Sequence, residues 1–195
     1  MNGPSINGIS WALPDDWVGW EVGDIPQATA HAAALGDDPR TTEAVVAAAR
    51  EFDADVAEHM PGANLLALWT PVPGRREPLA TATLRVGRAE NPERMTMDEL
   101  LEFARDPFYP RGTRVVDLAA VPSSVTAGEA VLRIVDKLHR FRRTVAREWT
   151  WFILPTGTTD IVALQLESWW IAHFDELTDV STDIADAVEV TVGTT

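Results

Sequence analysis

Apolar positions along the chain change period several times, and each change marks an element. Residues 149–154 (WTWFIL) and 161–167 (IVALQLE) are two apolar runs separated by Pro155-Thr156-Gly157-Thr158, so they predict a β-hairpin. Trp170, Phe174, Leu177, Ile184 and Val188 then recur at helical spacing and predict a helix over 168–190. Its polar side carries Asp175, Asp179, Asp183 and Asp186. Earlier, Val45, Ala49, Phe52 and Val56 share one face of a predicted helix over 43–59, with Thr41 or Thr42 as its cap and Pro61-Gly62 at its end.

Shorter signals fill the remainder. Residues 65–70 and 78–88 read as an antiparallel strand pair around a loop at 71–76, the second strand alternating Leu79/Thr81/Thr83 with Ala80/Ala82/Leu84/Val86. Thr96 and Glu99 form a capping-box pattern that opens a helix over 97–105, stopped by Asp106-Pro107. Residues 114–121 are mostly apolar and predict a central strand. Residues 127–143 carry a helical stripe (Ala127, Ala130, Val131, Ile134, Val135, Leu138, Phe141) but tolerate a strand, and periodicity favours the helix. Residues 28–35 are alanine-rich and end at the breaker 36–39. Residues 1–27 read as an arm rich in Trp, Pro and Gly, packed on a single α+β domain of 28–195, with a short strand at 18–22.

The expected fold is therefore α+β: one antiparallel sheet of about five to seven strands flanked by helices, with the C-terminal helix packed on it. The closing segment PTGTTDIVALQLES followed by FDELTDVSTDIADAV, with its Ile184-Ala185 pair, resembles uncharacterised actinobacterial proteins of the PsbP-like α/β/α sandwich fold. Residues 65–86 resemble it less closely. The resemblance implies a strand over 127–143 and a non-enzymatic binding or assembly role. It transfers no catalytic residues, and Trp169-Trp170 departs from the smaller polar residues expected there.

Composition narrows the chemistry. With no cysteine, disulfides, thiolate metal sites and thiol catalysis are excluded, and a lipid-anchored lipoprotein is not expected. The four histidines, His31, His59, His139 and His173, show no ligand spacing, so no metal and no cofactor is expected. No Gly-x-Ser-x-Gly elbow and no glycine-rich phosphate cradle occurs. The formal net charge of −14 argues against nucleic-acid and anionic-membrane partners and favours a basic protein partner. The start of the chain lacks a basic, then apolar, secretory pattern, and cytoplasmic is the expected location.

Charge and tryptophan supply the candidate sites. Arg133, Lys137, Arg140, Arg142, Arg143 and Arg147 cluster in fifteen residues, whereas the last 29 residues have no Lys or Arg. The two segments could offer opposite surfaces or face each other inside the molecule. Trp169 and Trp170 cannot both point into a core, so one is expected to cover a sheet edge or act as an exposed anchor. The expectation is a non-catalytic interaction module engaging its partner through Trp169, Trp170, Trp17 and Trp20, with Arg140, Arg142 and Arg143 as the electrostatic patch. Two rivals stand beside it. One is a small-ligand site or undetected hydrolase lined by Asp117, Trp149 and Trp151. The other is an immunity or chaperone protein for a basic partner.

Overall fold

The computed structural model describes residues 4–35, 38–70, 78–88, 93–109, 111–139 and 144–193. Seven strands form one antiparallel sheet in the order β2-β3-β4-β8-β7-β6-β5. They are β2 (Trp17–Glu21), β3 (Ala63–Trp69), β4 (Ala80–Gly87), β5 (Thr113–Val125), β6 (Gly128–His139), β7 (Thr144–Pro155) and β8 (Ile161–Ser168). The first and last strands, β1 (Ser5–Trp11) and β9 (Val188–Gly193), pair separately as a two-stranded ribbon. Helices α1 (Ile25–Ala34), α2 (Pro39–His59) and α3 (Met97–Arg105) cover one face, and α4 (Phe174–Asp186) lies with the ribbon on the other.

The strand period of two decides what each face buries. Trp149, Trp151 and Ile153 of β7 project towards α4 and meet Phe174, Leu177 and Ile184. Phe152 and Leu154 project the other way, onto Leu100 and Ala104 of α3. Trp20, Leu66 and Leu68 pack beneath α1 and α2 with Val45, Ala49 and Val56. Three of these buried tryptophans keep their polar edges satisfied. Trp149 donates to Thr178 Oγ1 at 2.9 Å, Trp151 to Ser181 Oγ at 3.3 Å and Trp20 to Asp53 Oδ1 at 3.0 Å.

Helix ends follow local chemistry. The capping box of α3 forms as read from Thr96 and Glu99. The cap of α2 is Asp38, which accepts from the Arg40 and Thr41 amides with Pro39 in the first turn, so the helix starts before either threonine.

Three elements differ from the sequence reading. Residues 128–139 are strand β6, paired with β5 and β7, and not the helix that periodicity favoured. Gly128 fixes this hairpin: a Cβ there would collide with the Leu154 carbonyl oxygen. The strand over 114–121 is part of an edge strand, not a central one, and Val115, Val116 and Val121 are exposed. The closing helix is shorter than 168–190. It is preceded by a 3-10 turn, Ile171–His173, and ends at Asp186, because Val188, Val190 and Val192 alternate with Glu189 and Thr191 and continue as β9.

Candidate functional site

The two consecutive tryptophans sit where β8 leaves the sheet. Ser168 Oγ donates to the Leu79 carbonyl at 2.6 Å and accepts from the Trp170 amide at 3.1 Å, which turns the chain sharply. Trp170 folds back against the α4-side core, while Trp169 is 36% exposed and Ile171 is 65% exposed. Next to them, Asp175 and Glu176 open α4, and Asp179 continues its outward face. Carboxylates in the first turn complement the helix dipole, so the acidic surface here is favourable to the helix itself. His173 contacts Glu176 Oε2 at 2.9 Å and meets the Trp69 ring edge-on at 5.1 Å.

Trp17 and Trp20 are not surface anchors: they are 5% and 1% exposed. Strand β2 is the outer strand of the sheet, yet the ribbon and α1 close over its two faces, which buries both rings. Trp17 stacks on Trp69 at 6.3 Å. Arg140, Arg142 and Arg143 lie outside the described residues. Asp117, Trp149 and Trp151 do not form a common pocket. The two rings are buried against α4, whereas Asp117 is exposed on the edge strand β5.

The remaining basic residues of the cluster divide between the two faces of the sheet. Arg147 forms a two-pronged pair with Asp136 at 2.6 and 2.8 Å and lies 4.7 Å over the Phe174 ring of α4. Its guanidinium is held charged above its ordinary range chiefly by that hydrogen bonding. On the opposite face, Arg133 and Lys137 enclose Glu148. The Glu148 carboxylate accepts from Arg133 at 2.9 Å, Lys137 at 2.9 Å, Tyr109 at 3.0 Å, Thr150 at 3.1 Å and Gln165 at 3.3 Å. Lys137 also donates to Glu167 at 2.7 Å. Burial alone would raise the Glu148 pKa, but Lys137 and Arg133 overcome it and hold the carboxyl below its ordinary 4.5. Burial likewise opposes charge on Lys137, and Glu167 and Glu148 outweigh it, so its pKa is raised. Burial and the neighbouring Glu148 charge push the Tyr109 hydroxyl well up.

Two cations and two carboxylates therefore neutralise one another, with every carboxylate oxygen of Glu148 occupied. The chemistry of this arrangement is to hold β6, β7 and β8 in register with the Tyr109 segment. Sequence reasoning missed it because Glu148 precedes Trp149 in a run that reads as a continuous apolar strand.

The structure also has an open trough of about 630 Å³ along the outer edge of β2. Ile9, Trp11 and Leu13 come from the N-terminal segment, Gln27, His31 and Ala34 come from α1, and Leu35 caps its end. No sequence motif announced it, because its walls come from elements joined only in the fold.

The layers and strand order define an α+β protein with a seven-stranded antiparallel sheet between helices. Its similarity to solved structures lies at that level. The chain is similar to LpqN, a protein involved in cell envelope biogenesis of Mycobacterium tuberculosis, with 12% identity, a TM-score of 0.50, and coverage of 96% of this chain and 89% of that one. A protein from Bacteroides thetaiotaomicron VPI-5482 aligns at 10% identity and a TM-score of 0.45, and the chain spans about half of its length. No protein-family model and no curated protein matches. Among the described residues, no helix is long and apolar enough to cross a membrane, and no group of three or more His, Asp or Glu side chains is placed to hold a metal ion.

Proposed function

We propose that this protein is a non-catalytic interaction module and that it engages a basic protein partner at the β8–α4 junction. The observation carrying this reading is the division of labour between adjacent side chains. Trp170 is tied into the core, and Trp169 with Ile171 is presented to solvent beside Asp175 and Glu176. Exposed aromatic and aliphatic groups ringed by charge are the usual composition of an interface anchor, and a single such ring carries about 2 kcal/mol or more. The acidic surroundings and the net charge of −14 favour a partner of opposite sign and a salt-sensitive association rate.

The same reading takes the chain as a PsbP-like α/β/α sandwich of actinobacterial origin acting in the cytoplasm. The helix–sheet–helix layering supports the first of these. The envelope role described for LpqN favours a second reading, in which the partner belongs to the cell envelope.

Affinity capture from native lysate at 50 mM and 300 mM salt tests the proposal. A partner of high isoelectric point, retained at low salt and lost at high salt, is the expected result. A partner that is acidic, or whose retention ignores salt, would overturn the electrostatic part. The cellular fraction in which that partner is found distinguishes the cytoplasmic from the envelope reading.

A further inference from the structure

The two outer edges of the sheet are finished differently. Strand β2 pairs with β3 on one side only, and side chains of α1 close its free side. Gln27 Oε1 accepts from the Glu21 amide at 2.7 Å, and His31 Nδ1 contacts the Gly19 carbonyl at 2.5 Å. Strand β5 likewise pairs with β6 on one side only. Among the described residues, however, no side chain or loop hydrogen-bonds the other side of residues 117–121. The strand is 13 residues long, and Val115, Val116 and Val121 are exposed. A long, bare, apolar edge is a template for another strand, and folded chains ordinarily cover or interrupt one.

Two features confine this template. A bulge between Val115 and Asp117 interrupts it at one end, and Pro122 stands at the other. Proline has no N–H, so in an edge strand it takes a position whose nitrogen points outward. Backbone direction alternates along a strand, so Ala120 and Leu118 also turn N–H and C=O outward, while Ala119 and Val121 bond to β6. The two-residue turn 126–127, closed by the Val125–Gly128 pair, gives the same phase. The free stretch is therefore 117–121, and its outward groups belong to Leu118 and Ala120.

We infer that this stretch pairs with the same stretch of a second copy of the chain, antiparallel about a two-fold axis at Ala119, so that the two sheets join into one. Such a self-complementary contact sets each residue opposite one an even number of positions away, because paired side chains share a face. Centred on Ala119, Leu118 of each copy meets Ala120 of the other, and each pair exchanges both of its N–H···O=C bonds. Moving the axis one residue towards Pro122 sets Leu118 opposite a proline that cannot donate. Moving it one residue the other way sets Ala120 opposite the bulge. The side chains agree with the central register: Leu118 lies beside the small Ala120, Ala119 beside itself, and Val121 beside the stem of Asp117. The Asp117 charge is met inside its own chain by Arg147, which is held charged chiefly by Asp136 and also by Asp117.

The net charge of −14 opposes self-association, so the test is made at about 300 mM salt, where that repulsion is screened. Sedimentation equilibrium of the full chain from about 5 to about 200 μM should show a concentration-dependent species of twice the 21.4 kDa chain mass. Ala120→Pro removes an outward donor without touching the β6 ladder, and should weaken the dimer at least tenfold. Register is read independently by cysteine substitution, since the chain has no cysteine of its own. In the inferred pairing the two Ala119 residues form a non-hydrogen-bonded pair with Cα atoms about 4.5 Å apart, within disulfide reach. Val121 is four residues out of step with its own copy. Under mild oxidation Ala119→Cys should therefore crosslink at least tenfold faster than Val121→Cys, a comparison that decides the matter even where Ala120→Pro alters folding. Trp169→Ala should leave the dimer unchanged. A monomer throughout the range, equal crosslinking of the two cysteine variants, an undiminished dimer in folded Ala120→Pro, or a dimer lost in Trp169→Ala would each overturn the inference.

Discussion

At the residue scale, burial separates side chains that look equivalent in sequence. Of the eight tryptophans, Trp17, Trp69, Trp149 and Trp151 are buried in the α4-side core and Trp20 beneath α1 and α2, while Trp169 is exposed. Glu148 is the charged counterpart of this sorting. Replacing it by Gln leaves Lys137 and Arg133 facing a neutral group in a nearly dry setting, and breaking such a pair costs about 3 kcal/mol. We expect Glu148→Gln to lower unfolding stability by about that amount in a urea titration. Adding Arg133→Met should recover part of the loss, since Arg133 has lost its carboxylate partner whereas Lys137 keeps Glu167. Which tryptophans would be buried was not legible in sequence, since burial depends on which elements cover each strand. The capping box at Thr96 was legible because both of its partners lie within four residues.

At the element scale, local signals held where a few neighbouring residues decide the outcome and failed where distant pairing decides it. The α3 cap makes a specific case: Thr96→Ala should cost about 1 kcal/mol, read as a drop in melting temperature. Strand β6 makes the opposite case. Its Val131, Ile134 and Val135 satisfy a helical stripe, but β5 and β7 each offer a complete antiparallel ladder, and the ladders prevail. Gly128→Ala should be strongly destabilising, because the added methyl meets backbone that cannot move without breaking the β6–β7 register. For the same reason, β9 was hidden in the tail of a helical pattern: its partner is β1, nearly the whole chain away. The sequence reading anticipated one sheet with a helix on the last hairpin. It could not order strands whose neighbours are set by crossovers.

At the scale of the whole molecule, charge governs stability and, in the proposed reading, association. The folded Glu148 pKa is depressed, so its stabilisation is present above the ordinary carboxylate pKa of 4.5 and is lost as pH falls through the lower folded value. The folded Lys137 pKa is raised, so its contribution is present below 10.5 and is lost as pH rises through the higher folded value. Melting temperature should therefore be flat between these limits and fall outside them, and Glu148→Gln should flatten the acid limb. The excess of carboxylates over cations faces outward along α4, where Asp175, Glu176, Asp179, Asp183 and Asp186 are exposed. Of the basic cluster, Arg133 and Lys137 are committed to the opposite face of the sheet, and Arg147, paired with Asp136, is the cation that lies near Asp175 on this one. The candidate site was thus half legible. The Trp169-Trp170 pair and its acidic neighbours could be read from the chain, but the assignment of one ring to solvent and the other to the core needed the fold.

The central claim, that the β8–α4 junction is a docking surface and not only a corner of the core, meets its most direct test in paired measurements on Trp169→Ala and Trp170→Ala. For each variant, partner capture at 50 mM salt would be measured beside melting temperature. The account predicts that Trp169→Ala loses capture at least tenfold with its melting temperature unchanged, and that Trp170→Ala lowers the melting temperature. Undiminished capture by Trp169→Ala, or loss of capture only in step with melting, would contradict it.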